Sequence, residues 1–190
     1  MYKGHIILAS ASPRRRDILE SFGFCFDIMA SDADESGVES LHPADAVKEL
    51  ALRKAKWIAE RVGQTDSVIL AADTLVAKDG ELLGKPRDEE DAYRMLSLLS
   101  DSKHQVYTGV ALIKGDRIVN EAECTDVFFR PLNEEELRAY IATGEPMDKA
   151  GAYGIQERAG IFVRRIEGDY LNVLGLPMCR VYELLKDMEK

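Results

Sequence analysis

The chain has 190 residues, of which 46% are hydrophobic and 31% are charged, and its formal net charge is −9. This length predicts one domain or two small lobes, and no apolar run approaches the length of a membrane span, so we expect no membrane partner. The acidic balance argues against long DNA or RNA as a partner, because a protein that binds nucleic-acid backbones needs a basic surface.

The cysteines indicate a reducing compartment. Their number is odd and no C-x-x-C pair occurs, which argues against both a disulfide framework and a zinc site. We interpret Cys25, Cys124 and Cys179 as reduced core residues of a cytoplasmic protein. The apolar stretch near the N-terminus is too short for a signal peptide and leads directly into arginines.

The stretch Ile6–Leu19 predicts a strand, a turn and a helix that carries an anion site. Residues 6–9 are apolar, and Ser12 with Pro13 is typical of a helix cap and first helical position. Arginines at 14–16 then fall in the first turn, where cations are mildly destabilising because the helix N-terminus is partly positive. Helix N–H groups, guanidinium groups and the hydroxyls of Ser10 and Ser12 together suit a phosphate, and a solvated basic turn is the alternative. The helix is expected to bury Ile18, Leu19 and Phe22.

Two carboxylates stand out as candidates for catalysis or metal binding. Glu35 lies in the acidic, turn-rich segment 31–37, where it is either solvated or a ligand of a divalent metal. Asp73 follows the buried strand predicted at 67–72, and ligands of open α/β sheets bind at the C-terminal ends of strands. We interpret Asp73 as the main catalytic candidate, with capping of the next turn as the alternative. A helix from Pro43 to Val62 places Lys54 and Lys56 on different faces, so at most one of them faces a site.

The segment after Asp73 predicts a hairpin that turns at Asp79-Gly80, between strands at 75–78 and 81–83. Residues 80–86 lack the Ser or Thr and the following helix that a P-loop requires. We therefore expect Lys85 to contact a phosphate from a loop, as a point charge.

The rest of the chain predicts further helices and strands around one long loop. Helices are expected from Asp88, from a capping box at Asn133, and from Pro177 to Met188. Strands are expected at 104–114, 117–129 and 160–165, with His104 hydrogen-bonded near a strand start. The glycine-rich loop 145–156 is long for a connection, which is typical of a functional loop.

The motifs favour hydrolysis of a phosphoanhydride. There is no G-x-G-x-x-G for a dinucleotide and no G-x-S-x-G for a serine hydrolase. The early cations and the carboxylates of Glu35 and Asp73 suit phosphate binding, metal binding and activation of water. Six short motifs in this order also resemble those of the Maf family, nucleoside-triphosphate pyrophosphatases: Ser10-x-Ser12-Pro13-Arg14-Arg15, Ala72-Asp73-Thr74, Gly84-Lys85-Pro86, residues 145–156, Gly168-Asp169-Tyr170 and Gly175-Leu176-Pro177.

The resemblance implies a fold, a reaction and roles for residues. It implies a single α/β domain over residues 1–190, with two lobes, a central mixed sheet, flanking helices and a cleft, as in Maf and ITPase-like proteins. It also implies that the protein forms a homodimer. It implies cleavage of a nucleoside triphosphate to the monophosphate and pyrophosphate with a divalent metal, Mg²⁺ or Mn²⁺. In this resemblance, Asp73 matches the position that the family uses as proton acceptor. The polar positions that line the family's pocket match Ser10, Arg15, Glu35, Lys54 and Lys85. The positions linked to the choice of base match Arg14, Thr74 and Gln156.

The combination at those last three positions resembles the dTTP/UTP branch of the family and not the 7-methyl-GTP branch. Uracil and thymine offer an N3–H donor flanked by carbonyl acceptors, which one amide such as that of Gln156 can pair with, whereas cytosine lacks the N3–H. Whether Asp73 is the general base or a metal ligand is left open. One alternative function is a nucleotide-binding regulator of cell division and septum formation that acts without turnover. A second alternative is a phosphotransferase, which the missing P-loop disfavours.

Overall fold

The computed structural model describes residues 2–189, and within that range the chain forms seven strands and six α-helices. Three short 3₁₀ turns, Glu145–Asp148, Ala150–Ala152 and Arg158–Phe162, precede the last strand. The strands are β1 (His5–Leu8), β2 (Cys25–Ile28), β3 (Val68–Lys78), β4 (Glu81–Leu83), β5 (Lys103–Lys114), β6 (Arg117–Phe129) and β7 (Val163–Glu167). The helices are α1 (Pro13–Ser21), α2 (Pro43–Val62), α3 (Glu89–Leu99), α4 (Glu134–Ile141), α5 (Tyr170–Val173) and α6 (Met178–Asp187).

The strands form one mixed sheet, as predicted, in the order β2-β1-β3-β5-β6-β7, with β4 paired to β3. β1 pairs in parallel with both β2 and β3, and helices α1 and α2 make the crossovers that parallel neighbours require. The pairs β3–β4 and β6–β7 are antiparallel. The predicted α/β class with helices flanking a mixed sheet is therefore confirmed.

The chain divides into two groups of residues. The first group comprises the residues up to Asp73, Thr108–Glu123 and those from Gly175 onward; the second comprises Thr74–Tyr107 and Cys124–Leu174. Strands β3, β5 and β6 contribute residues to both groups. The prediction of a single domain with a cleft stays a prediction.

The core of the first group forms where α2 packs on the sheet. Apolar residues of the helix, Ala51, Ala55 and Ile58, meet Ile7 and Ile69 of the parallel strands. The backbone of α2 approaches the sheet so closely that a side chain on Gly109 would place its Cβ 2.1 Å from the carbonyl oxygen of Val47. Only glycine fits there, and the helix that carries Lys54 is thereby held against β5.

The second group has a separate core around α3, α4 and the turns that follow α4. Four aromatic rings pack edge to face in it, which is a favourable geometry for aromatic pairs. The pairs Phe129–Tyr153 and Tyr140–Phe162 have ring centroids 4.8 and 5.2 Å apart. The long loop predicted at 145–156 is thus a packed segment, since Ala152 and Tyr153 are buried in this core.

Local sequence signals predicted several elements well. Helix α2 has the predicted bounds, with a first-turn proline and Gly63 at φ 69° after its end. The predicted hairpin turn at Asp79-Gly80 is present, and both residues have positive φ. The capping box of α4 is formed in full by Asn133 and Glu136.

Other predictions were wrong. Phe22 is 45% exposed, because α1 ends at Ser21 and Phe22 turns the chain toward β2. All three cysteines are exposed and do not lie in the core. The last strand begins at Val163, because residues 158–162 form a 3₁₀ turn. Among residues 2–189, no helix is both long enough and apolar enough to cross a membrane.

Candidate active site

The turn between β1 and α1 brings the predicted serines and Arg15 together. Ser10 is buried, and its Oγ accepts hydrogen bonds from the Ser12 N–H at 3.2 Å and from Arg15 Nη1 at 3.1 Å. Ser12 occupies the N-cap position of α1 as predicted, but its side chain makes no capping hydrogen bond. The first turn of α1 contains no acidic residue, so the helix end keeps its partial positive charge beside these groups.

Arg15 is fixed from a second direction by the backbone near the C-terminus. Its Nε donates to the carbonyl oxygen of Gly175 at 2.8 Å. Burial lowers the pKa of the Arg15 guanidinium, and the nearby carboxylate of Asp73 acts in the opposite direction. Because an arginine stays protonated in a protein, the result is a fixed, partly desolvated cation.

Lys54 links the two predicted carboxylates. From the middle of α2, its Nζ donates to Oδ1 of Asp73 and lies 2.8 Å from Oε1 of Glu35. The side chains of Lys54 and Asp73 are 13% and 11% exposed, while that of Glu35 is 62% exposed. Lys54 is thus the one of the two candidate lysines that faces this cluster, whereas Lys56 is exposed.

Asp73 is held differently from the prediction. The predicted strand end at residue 72 was wrong, because β3 continues through Asp73 to Lys78. Nothing between Ala72 and Leu75 breaks a strand, since neither glycine nor proline occurs there. Asp73 therefore lies in the middle of strand β3 and not at its end.

The donor chemistry of this cluster suits Mg²⁺. Glu35 and Asp73 both direct an oxygen toward the Lys54 ammonium, so hard oxygen donors converge on a place where a cation is already held. Within residues 2–189, no group of three or more His, Cys, Asp or Glu side chains is arranged to hold a metal. Mg²⁺ commonly binds through one or two carboxylates together with water and substrate phosphates, so two carboxylates are a sufficient protein contribution.

The chain matches a known family. A family model described as "Maf-like protein" matches residues 5–188. The chain belongs to the Maf family. A dTTP/UTP pyrophosphatase of Geobacillus sp. is 51% identical to this Maf chain over 181 residues, which are 95% of this chain and 96% of the relative. Proteins of the same name from Bacillus cereus and Symbiobacterium thermophilum are 49% and 48% identical and again match 95% of this chain, with 94% and 92% of their own lengths.

A solved structure shows the same fold at low sequence identity. The Ham1 protein of Staphylococcus aureus superimposes with a TM-score of 0.54 at 12% identity, over 98% of this Maf chain and all (100%) of that chain. At this identity, the likeness shows the fold alone.

Three other predicted site residues of the Maf chain, Thr74, Lys85 and Gln156, lie in the second group. Lys85 and Gln156 are exposed, and Thr74 is half-buried on β3 next to Asp73. The carbonyl oxygen of Gly84, which precedes Lys85, accepts a hydrogen bond from the Gly151 N–H at 3.0 Å. Arg14 lies beside Arg15, and its charge further lowers the pKa of Arg15.

The sequence does not predict two features of the Maf chain. Gly175 belongs to a motif in the sequence, yet in the folded chain its carbonyl accepts a hydrogen bond from Arg15. Lys149 was part of the long-loop motif, yet it is 5% exposed and ion-paired. The contact of Gly175 joins residues far apart in the sequence, whereas the contacts of Lys149 lie within residues 145–157 and depend on how that segment folds, which its sequence pattern did not indicate.

Proposed function

We propose that this protein is a nucleoside-triphosphate pyrophosphatase that hydrolyses dTTP and UTP to the nucleoside monophosphate and pyrophosphate. The observation that carries the proposal is the near full-length identity of about one half to Maf relatives named dTTP/UTP pyrophosphatase. The geometry supports it, because fixed cations and a paired carboxylate are the groups that such a reaction needs.

The cations bind the triphosphate in this proposal. Arg15 presents a rigid guanidinium, which suits phosphate oxygens because its planar fork matches their geometry. The N–H groups at the start of α1 and the ammonium of Lys54 add further positive charge. Lys85 keeps its predicted role as a phosphate ligand. Ser10 orients Arg15 through its hydroxyl oxygen.

Asp73 is the proposed general base. It accepts a proton from the water whose oxygen forms a new bond to the α-phosphorus, while the bond from that phosphorus to the bridging oxygen breaks and pyrophosphate leaves. The carboxylate of Asp73 accepts a hydrogen bond from the Lys54 ammonium, which holds it in place for this role. Glu35 and Asp73 would hold the divalent metal, Mg²⁺ or Mn²⁺. When bound, such a metal neutralises phosphate charge and polarises the phosphoryl oxygens.

Base choice is assigned to Gln156, Arg14 and Thr74. An amide can accept from the N3–H of uracil or thymine and donate to another group, whereas cytosine leaves that acceptor unpaired. The exposed amide of Gln156 is free of the buried core and accessible to a base.

We also propose that the protein acts in the cytoplasm, where nucleoside triphosphates are made. We further propose that it is a homodimer, which analytical ultracentrifugation would test.

The direct test is pyrophosphate release from dTTP, UTP, CTP, GTP and 7-methyl-GTP with Mg²⁺. Release from dTTP and UTP, and little from the others, is the expected result. Release only from 7-methyl-GTP would support the proposed pyrophosphatase reaction but overturn the proposed selectivity for dTTP and UTP. Tight binding without release from any of the five would overturn the reaction and favour the regulator of cell division.

A further inference from the structure

We infer that Lys149 is a positioning residue for base choice: its buried ammonium ties together both ends of the segment Glu145–Glu157, which carries Gln156. The inference rests on the proposed function for the role of Gln156, and on the contacts of the second group for the role of Lys149.

The ammonium of Lys149 uses all three of its donors within this one segment. It donates to the carbonyl oxygen of Glu145 at 2.7 Å and to Oδ1 of Asp148 at 2.7 Å, and it lies 2.9 Å from Oε2 of Glu157. The Lys149 side chain is only 6% exposed. Because burying a charge is costly unless it is paired, these three contacts act as a unit that closes the segment into a loop.

The backbone is shaped to admit the lysine side chain. A Cβ on Gly154 would lie 2.8 Å from Cε of Lys149, so the absence of a side chain at 154 leaves the space through which the lysine reaches Glu157. Gln156 lies between these two contact points, with Gly154 before it and Glu157 after it. The lysine therefore restrains the backbone on both sides of the exposed amide.

The middle of the segment is anchored independently. The hydroxyl of Tyr153 hydrogen-bonds to Nε2 of His104 at 2.8 Å, in the buried aromatic cluster. The Gly151 N–H donates to the carbonyl of Gly84, the residue before Lys85. Removal of the Lys149 ammonium should thus loosen the stretch around Gln156, while Tyr153 keeps the rest of the segment in place. Binding selectivity should therefore change more than the free energy of unfolding.

The test compares wild type with Lys149→Met by calorimetric binding of the α,β-imido analogues of UTP and CTP. These analogues are not cleaved between the α and β phosphates, so binding is measured whether or not the protein is an enzyme. The measured quantity is the Kd of the CTP analogue divided by the Kd of the UTP analogue. We expect this ratio to fall about tenfold in Lys149→Met, which corresponds to the loss of one hydrogen bond. The matched control is Lys103→Met, which removes an exposed ion pair with Asp126 in the same group and should leave the ratio unchanged.

A second variant covers failure of Lys149→Met to fold. Glu157→Gln keeps the shape of the side chain but removes the negative charge that faces the Lys149 ammonium, and it should lower the same ratio. An unchanged ratio in the folded variants, with equal loss of affinity for both analogues, would overturn the inference, and so would a wild type that does not discriminate between them. A wild type that binds selectively but releases no pyrophosphate would overturn only the proposed reaction.

Discussion

Arg15 Nε donates a hydrogen bond to the carbonyl oxygen of Gly175 at 2.8 Å, across 160 residues of sequence. The same guanidinium donates from Nη1 to Ser10 Oγ at 3.1 Å. Two donors on different edges of one planar group fix the orientation of the Arg15 guanidinium. A lysine could keep the charge but could not make both contacts.

Arg15→Lys should therefore lower kcat/KM for UTP by roughly 100-fold, because small misplacements of a phosphate-binding cation weaken the transition state strongly. Steady-state pyrophosphate release measures the effect. Arg16→Lys is the matched control: Arg16 lies on the same turn, is exposed and pairs with Asp17, so its replacement should leave kcat/KM unchanged. Near-normal turnover by Arg15→Lys would remove Arg15 from the phosphate site.

Asp73→Asn should abolish most turnover and retain nucleotide binding. Loss of a general base costs about 10²- to 10⁴-fold in kcat, while the amide still fits the space of the carboxylate. Single-turnover kinetics and calorimetric binding of UTP separate the two effects. Asp27→Asn, at a carboxylate that is 81% exposed, should change neither. An Asp73→Asn variant with normal kcat would contradict the role of Asp73 as base.

Local signals in the sequence predicted the elements but not the contacts between distant residues. Pro43 and Gly63 mark the ends of α2 because each has a backbone preference of its own, and Asp73 stood out as an acid beside an apolar run. The contact of Arg15 with Gly175 joins two residues with no common pattern. It forms only because the folded chain brings the segment before α6 to the turn before α1, and a single sequence carries no record of that proximity.

The ion pair of Lys54 should also matter for stability. Lys54→Met leaves the buried Asp73 carboxylate without its ammonium, which should lower the free energy of unfolding by roughly 3 kcal/mol, as breaking a buried pair does. Urea unfolding in the absence of nucleotide measures this. The double variant Lys54→Met, Asp73→Asn removes both charges and should recover most of the loss. Equal stability of the single variant and wild type would show that the pair contributes little.

His104 should make stability depend on pH. Burial, assisted by the charge of Lys78, lowers the pKa of His104 from 6.5 to about 3. Below about pH 6.5, His104 binds a proton in the unfolded chain but not in the folded chain. The free energy of unfolding should therefore fall by about 1.4 kcal/mol for each pH unit as the pH decreases from about 6.5 toward about 3. Urea unfolding at about pH 7 and about pH 5 measures the slope.

The control for this slope is His104→Gln, which does not titrate but can still hydrogen-bond to Tyr153. Other carboxyl groups change stability with pH in both proteins, so the difference between the two slopes isolates His104. Identical slopes in wild type and variant would contradict the neutral, buried state of His104.

Gly151→Ala should destabilise the protein more than Gly115→Ala. Both glycines have positive φ, 66° and 55°, so alanine costs about 1 to 2 kcal/mol of backbone strain at either position. A Cβ on Gly151 would also lie 2.9 Å from Cγ2 of Val76, whereas a Cβ on Gly115 meets nothing within 4 Å. We expect Gly151→Ala to cost about 1 to 3 kcal/mol more, the usual cost of overpacking.

Thermal and urea unfolding of the two variants measure that difference. Because the Gly151 N–H also holds the carbonyl before Lys85, kcat/KM for UTP should fall in Gly151→Ala, while Gly115→Ala should keep the activity of wild type. Equal stability of the two variants would mean that Val76 moves aside without cost. Full activity in a folded Gly151→Ala variant would mean that Lys85 does not depend on this backbone contact.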